Sequence, residues 1–299
     1  MTNRAWHKIE SPAVIFTLGR LGTEGWLVGT NDGLWCYQNG QLQVVTETLR
    51  GAMVTAVAAP ETYPNRNLMF IGSVDGIARS IDGGASWSPA VLPQPSQVSQ
   101  IVLSPGFEFD GIAFAATLED GVLRSSDDGQ RWYSWNFGLL DRETLALAVT
   151  PDFAADETVF VVTGSGIFRS TNGGRAWREL AFAGDDEAAE AAMPPTGVAV
   201  THGAVVVSTE SKGLFYSFNG GTTWSKRSAF RSGETFTLAT SRDFNKLLLA
   251  TPSTIAVSED SGVTWERIAR PPDSVITLAM DDSGDILCGT QDDGLWVYR

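Results

Sequence analysis

The stretch Ser170-Thr-Asn-Gly-Gly-Arg-Ala-Trp177 is one of five of its kind in the chain. The others are Ser80-Ile-Asp-Gly-Gly-Ala-Ser-Trp87, Ser125-Ser-Asp-Asp-Gly-Gln-Arg-Trp132, Ser217-Phe-Asn-Gly-Gly-Thr-Thr-Trp224 and Ser258-Glu-Asp-Ser-Gly-Val-Thr-Trp265. The shared pattern is Ser-x-Asp/Asn-x-Gly-x-x-Trp, and its serines lie 45, 45, 47 and 41 residues apart. The side chains suit a hairpin turn. An Asp or Asn oxygen accepts from backbone N–H groups a few residues on, and Gly supplies the positive φ such turns need. Trp buries a large ring while its indole N–H still seeks an acceptor. Asn172 and Asn219 stand where Asp82, Asp127 and Asp260 stand elsewhere. That exchange keeps the acceptor and drops the charge, so these positions read as structural clamps rather than catalytic acids.

Upstream of each clamp a second phrase recurs, and it has seven copies: VGTNDGLWCY (28–37), IGSVDGIARS (71–80), ATLEDGVLRS (116–125), VTGSGIFRS (162–170), STESKGLFYS (208–217), ATPSTIAVS (250–258) and CGTQDDGLWVY (288–298). Before each of these runs a short apolar segment such as VIFTL, QIVLSP or VITLAM. Short runs rich in Val, Ile, Leu and Phe between turn residues read as buried strands. Each period thus holds four strands, here A to D, and four strands per 40–50 residues is the period of a β-propeller blade. The expected fold is all-β, a seven-bladed propeller forming a single domain over residues 1–299, with repeats from about residue 13 to 299.

The seventh repeat reaches Arg299 with no D strand after its C strand, while Arg4-Ala-Trp-His-Lys-Ile9 aligns with Arg175-Ala-Trp-Arg-Glu-Leu180. Residues 1–12 are therefore expected to supply the outer strand of the last blade and close the ring, which removes an open sheet seam. The first repeat deviates: after Tyr37 it reads Gln-Asn-Gly-Gln-Leu42, a short Asn-Gly hairpin without a Trp.

Bulk composition narrows the function. Formal net charge is −14, which disfavours a nucleic-acid backbone or an anionic membrane as partner. No run approaches the length of a membrane span, so no membrane insertion is expected. Cys36 and Cys288 form no CxxC pair, and His7 and His202 stand alone; no metal and no cofactor are expected. The N-terminus as given has no apolar leader, which suggests a cytoplasmic protein, or an exported one if a signal peptide has been removed.

Ser-x-Asp-x-Gly-x-x-Trp resembles the Asp-box, or BNR repeat, and the resemblance extends over essentially the whole chain. The phrases Leu103-Ser-Pro-Gly-Phe-Glu-Phe-Asp110 and Val149-Thr-Pro-Asp-Phe-Ala-Ala-Asp156 look like those of bacterial BNR-like proteins. That group includes sialidases, xyloglucanase-type glycoside hydrolases, sortilin-type receptors and the photosystem II assembly propeller. The resemblance implies a fold and leaves function to the site. The Arg-Ile-Pro motif of sialidases does not occur; the nearest string is Arg267-Ile-Ala. Xyloglucanases set their acids between two propellers, and this sequence supplies one. With no paired carboxylates singled out and no Ser-His-Asp set, a binding or scaffold module is the leading expectation, with a protein partner and a monomeric ring. A glycan or small-molecule binder, or a glycoside hydrolase, is the alternative.

In such a ring the D–A and B–C connections share one face, and the clamp turns lie on the other. The B–C loops carry Asp32, Asp75, Glu119, Asp120, Glu210, Asp292 and Asp293, interrupted by Lys212. These are the candidate binding residues, and plain turn chemistry is their competing explanation. Among the D–A connections, Ala183–Pro195 is long and acidic, Leu92–Gln97 is proline-stiffened, and Asn136–Arg142 offers Phe137 and Leu139 to a partner. Trp35 and Trp296 invite a sugar-stacking reading, but they share a column with Leu123, Phe168 and Phe215, which favours packing between blades.

Overall fold

The structure is a computed structural model that describes residues 4–23, 25–181, 194–210, 212–227, 230 and 237–299. Twenty-eight strands form seven four-stranded antiparallel sheets, the seven blades of a β-propeller. Six sheets run A–B–C–D in chain order. The seventh draws its outer strand, Trp6–Ile9, from the start of the chain and sets it against Leu295–Tyr298, followed by Ile286–Thr290 and Val275–Met280. The register is Trp6 opposite Tyr298 and Ile9 opposite Leu295. The connection Ala183–Pro195 lies almost wholly outside the described residues.

Every B strand is buried along its length in its blade, as with Ala113–Thr117 and Val159–Thr163. This is why the apolar runs of the sequence are continuous rather than alternating: both faces of each inner strand meet neighbouring blades. By packing density the chain falls into two units. The first comprises Met1–Ala115, Arg124–Tyr133 and Pro272–Arg299; the second comprises Ala116–Leu123 and Ser134–Pro271.

In the first unit, Ile15, Trp26 and Val28 of the first blade pack with Ala279, Leu287, Leu295 and Val297 of the last. The same junction carries polar ties. Gly294 N–H donates to Ala13 O (2.8 Å), and Leu295 N–H donates to Ser11 Oγ (2.9 Å). The first blade turns between its C and D strands through Asn39 (φ 52°) and Gly40 (φ 78°), as the Asn-Gly signal predicts. In the second unit, Phe160, Val162 and Ile167 pack with Val198, Val200, Val205, Val207 and Trp224.

Trp6 is half-buried, whereas the aligned Trp177 is buried. Where five blades have the clamp serine, the first has Tyr37 and the last Tyr298, whose ring stacks tilted on Trp6 at 5.1 Å between centroids. The stack replaces the clamp and leaves one side of Trp6 at the surface. Trp6→Ala should therefore lower unfolding free energy by about 2 kcal/mol, less than a fully buried Trp would cost. Removing residues 1–10 should lower Tm far more, because it deletes a whole ladder. Thermal melts of both variants check this; an unchanged Tm on truncation would mean the seam does not depend on this strand.

Candidate functional site

The five clamps share one geometry. In each, the Ser Oγ donates to the Asp or Asn Oδ1 at 2.8–2.9 Å and accepts from the N–H of the Gly four residues on at 2.7–3.0 Å. The same Oδ1 accepts the N–H of the residue before Trp at 2.8–3.0 Å. Ser80, Ser125, Ser170, Ser217 and Ser258 are all buried. Four indole N–H groups go to structural acceptors: Trp87 to Gly84 O and Trp132 to Gly129 O within the turn, Trp177 to Trp135 O and Trp265 to the Tyr216 hydroxyl outside it. With its Ser and Asp or Asn oxygens engaged inside the turn, a clamp of this kind holds a hairpin and offers little to a ligand.

The clamps differ in what the side chain of the fourth residue on does. Ser86 and Thr264 donate their hydroxyls to the second carboxylate oxygens of Asp82 and Asp260, both at 2.6 Å. At Asn219 the bond reverses, the amide donating to Thr223 Oγ1 (2.9 Å), and at Asn172 the matching residue is Ala176. The hydroxyl and N–H of Ser86, joined by the Ser80 hydroxyl, pull the Asp82 carboxyl down to about 2. The Thr264 hydroxyl leads the same downward shift at Asp260.

At the opposite end of each sheet the structure places a second clamp that the sequence reading missed. Thr30, Ser73, Thr117, Thr163, Thr209, Thr251 and Thr290 close the seven B strands. Each hydroxyl accepts a backbone N–H two or three residues on, as Asp120 N–H to Thr117 (3.0 Å) and Asp293 N–H to Thr290 (3.0 Å). Each donates to the carbonyl that opens the C strand, as Thr117 to Gly121 O (2.8 Å) and Thr290 to Gly294 O (2.8 Å). A hydroxyl residue three or four places before the Gly was the available signal.

This clamp accounts for much of the expected acidic rim. Asp32 accepts Gly51 N–H (2.9 Å) and pairs with Arg50 (2.6 Å). Asp120 is buried, and its carbonyl accepts from the Asn136 amide (2.6 Å). Asp293 pairs with Lys8. The backbone N–H of Lys212 is held by Thr209 (3.1 Å). Asp75, Glu119, Glu210 and Asp292 are exposed. Trp35 and Trp296 are half-buried, each donating to the Asp carbonyl of its own turn (both 3.2 Å). Arg50 lies 5.2 Å from the Trp35 ring centre and Lys8 5.6 Å from that of Trp296, so cations already occupy ring faces that a sugar would need.

The connection after the third blade is the most distinctive feature of this end. Leu139 N–H donates to Asn136 O (3.0 Å), closing a turn with Phe137 and Gly138 at its centre. Gly138 has φ 83°, and a Cβ there would meet Trp177 O at 2.2 Å. The Asn136 side chain accepts Val122 N–H (2.8 Å), Trp177 N–H donates to Phe137 O (2.8 Å), and Gly121 N–H donates to Arg142 O (3.0 Å). Burial works against the charge of Asp141, yet the Glu143 and Ser165 N–H groups and the Ser165 and Thr163 hydroxyls outweigh it and hold the carboxyl below its usual range. On this pinned loop Phe137 is 80% and Leu140 84% exposed. Leu139, expected to face a partner, is instead 5% exposed and packs inward.

Among the described residues no three His, Cys, Asp or Glu side chains gather as a metal site, and no helix is long and apolar enough to cross a membrane. Burial raises both thiols, Cys288 strongly.

Residues 215–226 match the family model described as BNR/Asp-box repeat. That match covers the fourth of five turns with one geometry. The chain is a seven-bladed propeller that carries Asp-box turns. No curated protein sequence matches it. Among solved structures, YCF48 bound to D1 peptide is similar over 100% of this chain and 96% of its own, at TM-score 0.73 and 18% identity. The WD40 β-propeller domain of Doa1 is similar over 100% and 97%, at TM-score 0.75 and 11% identity. The GH74 xyloglucanase from Xanthomonas campestris gives TM-score 0.71 at 16% identity; 98% of this chain spans 53% of that one. At these identities the likeness concerns the fold of the Asp-box propeller.

Two expectations test the clamps. Thr117→Val should cost about 1–3 kcal/mol, because it removes the buried hydroxyl that accepts the Asp120 N–H; chemical denaturation reads this directly. For Asp82, whose folded pKa lies below the unfolded value of about 3.9, the stabilisation is fully present above about pH 4 and fades as pH falls toward 2. Asp82→Asn keeps the Oδ1 acceptor and removes the titration. The Tm advantage of wild type over this variant should therefore shrink between pH 5 and pH 2, with a constant difference counting against the assignment.

Proposed function

We propose that the Asp-box propeller is a non-catalytic binding module that docks a protein through the end of its blades bearing the D–A and B–C connections. The loop of residues 136–143 is the contact element. The observation that carries this reading is the pair Phe137 and Leu140, held at the surface by a loop with little freedom to hide them. Single exposed hydrophobic residues are ordinary. Two on a loop pinned through Asn136, Gly138 and Asp141 suit a preformed contact, because little ordering entropy remains to be lost on binding.

Acidic groups flank the pair. Oxygens of Glu143 and Asp141 lie 3.1 and 3.4 Å from where a Cβ on Gly164 would stand, in the neighbouring B–C turn, and Glu119 is exposed beside Asp120. The matching partner surface presents an apolar socket edged by Lys or Arg. Screening of exposed charges over about 8–10 Å makes the association weaken with rising salt. The YCF48 structure holds a peptide, which supports protein binding as a use of this architecture.

The test is affinity capture from the source organism, read by mass spectrometry. Phe137→Ser/Leu140→Ser should lose the captured protein at unchanged Tm, since neither side chain is packed. Glu119→Lys/Glu143→Lys should weaken capture mainly at low salt. Full capture by the first double variant overturns the role of the loop. Turnover of a glycan by the wild type would replace a binding module with a hydrolase.

A further inference from the structure

Within the first unit, a cleft of about 310 Å³ opens between the outer strand of the second blade and the clamp turn of the third. Its lining includes Arg79, Arg131, Ser88, Ile81, Pro89 and Val91. The floor is rigid: Val91 N–H donates to Gln130 O (3.0 Å), and Trp132 N–H donates to Val91 O (2.9 Å). Ile81 and Val91 are 66% and 60% exposed, so the walls are apolar and open to solvent.

The two arginines have different histories in the repeat. Arg79 occupies a C-strand position where arginine recurs, as Arg124 and Arg169. Its Nε donates to Asp128 O (2.8 Å) in the next clamp turn, as Arg169 reaches Gly220 O. Arg131 departs from the pattern. The same clamp position holds Ser86, Ala176, Thr223 and Thr264 in the other blades, three of them bonded to the clamp Asp or Asn. Among the described residues neither Arg79 nor Arg131 forms an ion pair. The nearby carboxylates are engaged elsewhere: Asp128 with Arg66 (2.7 Å), Asp127 with Ser125 and the Arg131 N–H, and Asp82 with Ser80 and Ser86. Two guanidinium groups thus line a cleft in a protein of formal net charge −14 without a carboxylate bound to either.

We propose that this cleft binds a small organic oxyanion, its carboxylate or phosphate head on Arg79 and Arg131 and its short apolar body against Ile81, Pro89 and Val91. Guanidinium forks match both head groups, and the volume falls at the small end of ligand sites. The site lies at the clamp end of its blades, and the loop of residues 136–143 takes no part in it.

Calorimetric titration with hexanoate, hexyl phosphate, hexanol and inorganic phosphate tests the assignment. Hexanoate or hexyl phosphate should bind more tightly than inorganic phosphate, and hexanol should not bind; whichever of the first two is tighter identifies the head group. Arg131→Gln keeps the backbone N–H that the clamp uses, so Tm should hold while affinity falls by about tenfold or more, the loss of one charged hydrogen-bonding group. Arg79→Lys keeps the charge without the fork and should bind more weakly than wild type. Binding of neither oxyanion at millimolar concentration, or equal binding by Arg131→Gln, overturns the proposal.

Discussion

The antiparallel ladder between Trp6–Ile9 and Leu295–Tyr298 is the interaction on which the remaining structure rests. Within each other blade, four consecutive strands pair with their sequence neighbours, so local turns suffice to build the sheet. The last blade has no local route to its outer strand. Its ladder joins residues almost the full chain length apart, and loop-closure entropy opposes it until the other contacts are in place. The buried cluster around Ile15, Leu295 and Val297, with the bonds from Gly294 and Leu295 to Ala13 and Ser11, offsets that cost at the same junction. The N-terminal segment is thus both an outer strand and the lead into the first blade.

Five blades have their hairpins held by hydroxyl groups at both ends. Serine closes the C–D turns of these five, and threonine, or Ser73, closes the B–C turns of all seven. The serine hydroxyl bridges a backbone donor and the clamp Asp or Asn oxygen, the threonine hydroxyl a backbone donor and a backbone carbonyl, and an apolar residue of similar size can do neither. The arrangement frees the loops themselves to vary, since the clamp sits in the strand end rather than in the loop. Loop 136–143 uses that freedom, carrying two exposed apolar side chains.

The sequence made the fold legible because the serine clamp combines four unusual residue types at fixed spacing, which chance does not repeat five times. The closing strand was legible through the single Trp6 match. The threonine clamp hid because threonine is common in strands for other reasons, so its column did not stand out beside the more conspicuous Asp-Gly pairs. The candidate site was less legible. Asp120 and Glu119 are neighbours in an identical phrase, yet one is buried and the other exposed. Leu139 and Leu140 exchange roles because a glycine at φ 83° turns the chain before them, and no periodicity in a loop reports that rotation. The pairings of Asp32 with Arg50 and Asp293 with Lys8 join separate stretches of chain, so spacing within a repeat could not disclose them.

The outer strands of the second, third and fourth blades are only two residues long: Ser88–Pro89, Tyr133–Ser134 and Arg178–Glu179, all exposed. A propeller presents seven outer edges to its surroundings, and each is a template on which a foreign strand could pair. Two residues, one of them a proline in the second blade, offer too few free backbone groups to hold such a strand. The brevity of these three edges lets those blades display the repeated sheet without inviting copies of itself to pair there.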